Sequence, residues 1–122
     1  MKKAVLIVLF SLPSFILSAQ SEAILEFEKS IVNLGKINLN DTLHFELNYK
    51  NSGTKPLIIS EVKSKCACTL IEFSGLPLLS GKKASLKIRL IANTTGKFYK
   101  EIYVYSNTEI SPQIINLKGI VK

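Results

Sequence analysis

Two cysteines one residue apart, Cys66-Ala67-Cys68 with Thr69 following, carry the most distinctive chemistry in this chain. In an exported protein, two cysteines pair. Local geometry resists that pairing in a strand. Residues i and i+2 point to the same side, but their Cβ atoms lie farther apart than the roughly 3.8 Å of a relaxed disulfide. Closing the ring requires a local turn, which Ala67 makes less accessible than glycine would. The closed loop is too short to restrict the unfolded chain much, so such a bond suits a redox role better than stapling. Reduced, two thiolates on one face could hold a soft ion such as Cu(I). A structural zinc site needs four ligands, and the chain has two cysteines and one histidine. A third reading buries Cys66 and Cys68 as small hydrophobes at the sandwich end, sharing the parity of Ile58 and Val62. Structural, redox and metal readings all stay open at this point.

Other chemistry lacks parts. His44 is the single histidine, and its parity places it on a polar face with Thr42 and Glu46. A serine or cysteine nucleophile needs a positioned base, and no second histidine exists to supply one. The sequence has no glycine-rich phosphate loop, metalloprotease helix or calcium-type acidic cluster. Glu26 and Glu28 share a strand face as solvated carboxylates. The expectation is a protein that is not an enzyme, with no catalytic residues. A second candidate is the tyrosine stripe Tyr99, Tyr103 and Tyr105, opposite Phe98, Ile102 and Val104, with Lys97 and Lys100 adjacent. Tyrosines combine an apolar body with a polar tip and suit interfaces, although aromatic pairs also stabilise ordinary sheets.

The elements that position these residues begin with a leader. Lys2 and Lys3 precede an apolar run from Ala4 to Leu17, and Ser18-Ala19-Gln20 supplies a small-residue exit. That layout predicts a signal peptide over residues 1–19, cleaved after Ala19 or alternatively Ala23, and a mature domain over 20–122. A spanning helix needs about 20 apolar residues, so no integral membrane span is expected after cleavage. No cysteine marks the boundary for lipid attachment. The formal charge of +7 includes the two leader lysines. Nucleic acid is not an expected partner outside the cytoplasm, and the basic excess suits solubility or anionic envelope components.

Beyond the leader, hydrophobicity alternates with period two over short segments. Leu43, Phe45, Leu47 and Tyr49 share one face of 42–49, and Leu86, Ile88, Leu90 and Ala92 another. Further strands are expected at 25–28, 31–37 (bent at Gly35), 57–62, 98–105 and 114–121. Residues 70–80 read as a loop or irregular strand. Asn51-Ser52-Gly53 and 93–96 read as turns. Seven to eight short strands without a helical period predict one all-β domain, an antiparallel β-sandwich. Its sheet edges are candidate pairing sites.

In this order and spacing, Phe27, Leu34-Gly35, Asn51-Ser52-Gly53, Pro56-Leu57-Ile58-Ile59 and Cys66-Ala67-Cys68-Thr69 resemble an exported family. Gly81, Gly96-Lys97-Phe98, Ser106-Asn107 and Leu117-Lys118-Gly119 complete the pattern. The family is the bacterial domain of unknown function 1573, and the resemblance covers nearly all of residues 25–122. It implies an immunoglobulin-like sandwich and a periplasmic or extracellular location, with no biochemical activity attached to it. The family usually has glycine where this chain has Ala67, and proline where it has Ser80. The expected function is a non-enzymatic module binding an envelope or secreted protein. The alternative is thiol redox or Cu(I) handling at Cys66 and Cys68.

Overall fold

Matched alternation builds the sandwich. The inward side chains Leu43, Phe45 and Leu47 lie opposite Leu90, Ile88 and Leu86 along one antiparallel ladder. Each apolar residue therefore meets an apolar partner on the same face, the pairing unit that stabilises a sheet. The computed structural model describes residues 22–122 and Ala4. The expected leader, Ala4 apart, and its cleavage after Ala19 therefore lie outside the described residues, whereas the alternative site, Ala23, is described and is buried in the core.

In chain order the strands are β1 (Leu25–Phe27), β2 (Ile31–Ile37), β3 (Thr42–Asn51), β4 (Ile59–Ser64), β5 (Thr69–Glu72), β6 (Lys83–Ile91), β7 (Gly96–Ser106) and β8 (Gln113–Val121). They form two four-stranded sheets, ordered β1-β3-β6-β5 and β2-β8-β7-β4. This is the expected immunoglobulin-like sandwich, all-β and antiparallel apart from one pair. That pair is β2 with β8, which run parallel. Its register shifts between Asn33 and Lys36, where Gly35 takes a positive φ of 71°. Among the described residues, no helix is long and apolar enough to cross a membrane.

Leu86, Ile102, Val104, Ile115 and Leu117 meet between the sheets with almost no exposed surface. Burying one such side chain contributes about 1.5–3 kcal/mol, so a handful dominates the stability. One polar residue shares that burial. Asn51 accepts from the N–H groups of Ile24 (3.3 Å) and Gly53 (3.0 Å) and donates to the carbonyls of Lys55 (2.7 Å) and Leu78 (2.9 Å). It thus ties the N-terminal segment, its own turn and the chain before β6 into one knot. Ser80 joins the knot by donating its hydroxyl to the Gly53 carbonyl.

Gly53 is required there by space. A Cβ would overlap the Glu22 carbonyl oxygen and lie 2.6 Å from the Ile24 nitrogen, and both are backbone atoms with little freedom to move. Gly53→Ala is expected to destabilise the domain by about 2–3 kcal/mol in a denaturant titration. Gly75→Ala, where a Cβ meets nothing within 4 Å, should leave the midpoint nearly unchanged.

Two local expectations are corrected. Residues 69–72 form a regular edge strand on β6. The strand after Pro56 starts at Ile59 and carries a register shift between Ile59 and Glu61. The shift leaves Ile58 exposed while Leu57 and Ile59 are buried. Parity therefore does not run from Ile58 through Val62 to the cysteines, because β4 ends at Ser64 before them.

Candidate functional site

The chain leaves the second sheet at Ser64 and enters the first at Thr69. Lys65 to Cys68 is thus the crossing between two edge strands. It supplies the turn that a Cys-x-Cys ring needs. Thr69 N–H donates to the Cys66 carbonyl at 3.1 Å, and Ile91 N–H donates to the Cys68 carbonyl at 3.0 Å. The turn is therefore anchored through its backbone on β6. Cys66 and Cys68 are joined as a disulfide with their Cα atoms 5.2 Å apart. Cys66 is half-buried, whereas Cys68 and Thr69 are buried.

A third residue completes the site. Lys100 lies on β7 between the inward-facing Phe98 and Ile102, a position where alternation calls for an apolar side chain. Its Nζ reaches Cys68 Sγ at 2.9 Å and Cys66 Sγ at 3.3 Å. It also lies 5.6 Å from the centre of the Phe98 ring. The ion pairs among the described residues are Lys50–Glu26 and Lys63–Glu61, so no carboxylate neutralises Lys100. Burial lowers its pKa below the ordinary lysine value. Lys100 is adjacent to the tyrosine stripe in sequence, but the even parity it shares with Phe98 and Ile102 is the signal that it points inward.

Beside the disulfide opens a cleft of about 220 Å³, floored by Phe98 and Val121 and rimmed by residues 93–97. Lys97 and Lys100 are the charged groups that line it. Among the described residues, no group of three or more His, Cys, Asp or Glu side chains converges on one point. For the Cu(I) reading of Cys66 and Cys68 the electrostatics are adverse. An ammonium at hydrogen-bond distance from both sulfurs repels a second cation and favours a thiolate.

The tyrosines separate into two places. Tyr103 and Tyr105 line a groove of about 680 Å³ running between β4 and β5, with Val62, Leu70 and Ile71 as its apolar members. Lys65 and Lys63 stand over their rings at 5.8 and 5.6 Å. Tyr103 donates its hydroxyl to Glu101, and that bond, ahead of partial burial, raises the phenol pKa. Tyr99 pairs with Lys118 and stands 60% exposed, outside the groove. His44 is exposed opposite Arg89, on the polar face expected for it.

The model of the family described as "Protein of unknown function (DUF1573)" matches residues 25–121. The chain belongs to that family. No curated protein matches it. Among solved structures, a protein of unknown function from Porphyromonas gingivalis W83 superposes with a TM-score of 0.72 at 14% identity, over 88% of this chain and 51% of that one. The chain thus spans about half the length of that protein. The ASH/PapD-like domain 7 of human CEP192 gives 0.69 at 12% identity, over 100% and 96% of the two chains. WR4, a C. elegans MSP family member, gives 0.52 at 13%, over 84% and 99%. At such identities the likeness is one of fold, and what this DUF1573 domain does must be argued from its own residues.

Proposed function

We propose that the domain is an exported interaction module of the cell envelope, which binds an extended acidic segment of another envelope or secreted protein along the groove between β4 and β5. The observation that carries this reading is the juxtaposition of two outermost strands, one from each sheet, beside a single groove. An outermost strand leaves one row of backbone donors and acceptors for an incoming strand. The groove adds alternating recognition. Tyr103, Tyr105 and Leu70 offer apolar contact, while Lys63 and Lys65 offer charge. Leu70, 54% exposed on β5, gains the most from being covered. Docking of this kind needs no catalytic group.

The probe is a synthetic peptide alternating glutamate with valine, titrated into the protein while backbone amide resonances are followed. Shifts are expected in β4, β5 and Tyr103–Tyr105. The double variant Lys63→Glu, Lys65→Glu should weaken binding about tenfold or more, since each lost charge contact contributes about 1 kcal/mol. An absent response, or shifts centred on the opposite edge at β1 and β2, would overturn the reading.

A further inference from the structure

We propose that Cys66, Cys68 and Lys100 form a thiol–disulfide exchange site that accepts two electrons from a dithiol of another protein. This inference is independent of the docking groove. It starts from a cation in the wrong place for a staple. Lys100 occupies an inward position, has no carboxylate partner among the described residues, and directs Nζ at two sulfurs. A disulfide sulfur is neutral and a weak acceptor, so it repays little of the cost of desolvating an ammonium. A thiolate at the same place repays much more. The cation is therefore complementary to the opened bond rather than to the closed one.

The two sulfurs differ in a useful way. Cys66 is half-buried and borders the 220 Å³ cleft, whereas Cys68 is buried and lies nearer the ammonium. One thiol of the partner gives its proton to solvent, and the resulting thiolate reaches Cys66 Sγ, forms a bond to it and breaks the bond to Cys68. The electron pair moves to Cys68 Sγ, which leaves as a thiolate against Lys100. The partner's second thiol, having lost its proton to solvent, then attacks the partner sulfur of the mixed disulfide. Cys66 leaves and takes up a proton. The partner dithiol is oxidised to a disulfide and the Cys66–Cys68 bond is reduced. One proton is released while Cys68 remains ionised. The ring spans three residues, so opening it frees little chain entropy. The backbone bonds from Thr69 and Ile91 hold the turn without it.

The charged groups facing the sulfurs across the cleft are Lys97 and Lys100, and the segments from β6 and β8 that close it contribute Leu90, Ile91, Ala92 and Val121. All the charge there is positive, which favours the thiolate. In the full chain reduced with dithiothreitol, thiolate absorbance against pH is expected to give one thiol at least one unit below the ordinary value of about 8.5. Lys100→Gln should return it to that value and slow reduction of the oxidised protein by dithiothreitol at neutral pH several-fold, because a more basic thiolate leaves more slowly. Lys100→Arg should restore both. In single variants, Cys68→Ser should form a mixed disulfide with an aromatic disulfide reagent much faster than Cys66→Ser. Wild-type thiols that titrate at the ordinary value or above overturn the proposal, whatever the variants do. So does an unchanged reduction rate in a folded Lys100→Gln protein.

Discussion

Asn51→Ala is expected to cost the domain about 4 kcal/mol, read as a lowered midpoint with an unchanged slope in a denaturant titration. The side chain is fully buried and saturated, with two bonds accepted at Oδ1 and two donated from Nδ2. Alanine removes all of them and strands the Lys55 carbonyl and the Ile24 and Gly53 N–H groups where water has poor access, while the Leu78 carbonyl keeps its bond from Leu57 N–H. Each stranded group costs about 1–3 kcal/mol, partly relieved by relaxation. Domains of this size are stable by about 5–15 kcal/mol, so the variant approaches the unfolding threshold. Asn51→Asp is a sharper probe. It keeps both accepted bonds but turns an oxygen toward two carbonyls. The new carboxyl is expected to be protonated in the fold, with a pKa above that of the unfolded chain. The folded state then binds the extra proton, and stability falls as pH rises through the unfolded value and on to the folded one. A variant as stable at neutral pH as at pH 4, or a cost below about 1 kcal/mol for Asn51→Ala, would show that the knot is not structural.

Ile102→Ala should cost about 3–4 kcal/mol, the ordinary range for truncating a fully buried aliphatic side chain. Ile102 has 0% exposure, lies beside Ile115 on the neighbouring strand, and belongs to the cluster where both sheets meet. The interior cannot collapse easily around the missing atoms because the strands on either side are fixed by their ladders. Tyr99→Ala on the same strand, with its ring in solvent, should change the midpoint by less than about 1 kcal/mol. Equal effects at the two positions would contradict the assignment of β7's inner and outer faces. Both measurements are equilibrium unfolding curves on purified protein.

The long ladders were legible because alternation over 42–49 and 86–92 leaves a single choice of inner face. The family was legible from the order and spacing of the Asn51-Ser52-Gly53, Pro56 and Cys66-Ala67-Cys68-Thr69 motifs. What escaped was set by events that no local pattern records. The register shift between Ile59 and Glu61 reverses parity without changing composition, so Ile58 was assigned the wrong side. The parallel direction of β2 follows from where β8 lies, more than 70 residues downstream. Strand β5 has four residues and an exposed leucine, which resembles a loop when read alone. Lys100 was visible as an exception to alternation. Its meaning required knowing that the Cys66–Cys68 turn lies over the same end of the sandwich.

The parallel pairing of β2 with β8 also governs timing. Ile31 to Ile37 find their partners in Asn116 to Val121, so that ladder cannot be written until nearly all of the described chain is available to fold. The first sheet's longest ladder, β3 on β6, closes within residues 42–91 and can form earlier. A β-sandwich dominated by such distant pairings folds on the order of milliseconds to seconds, far slower than a helical bundle of equal size. Until residues 113–121 arrive, β7 has an open flank and β2 has no ladder at all. The domain's vulnerability to aggregation or proteolysis is therefore concentrated in the interval before β8 docks, closed by the strand that forms the last seam.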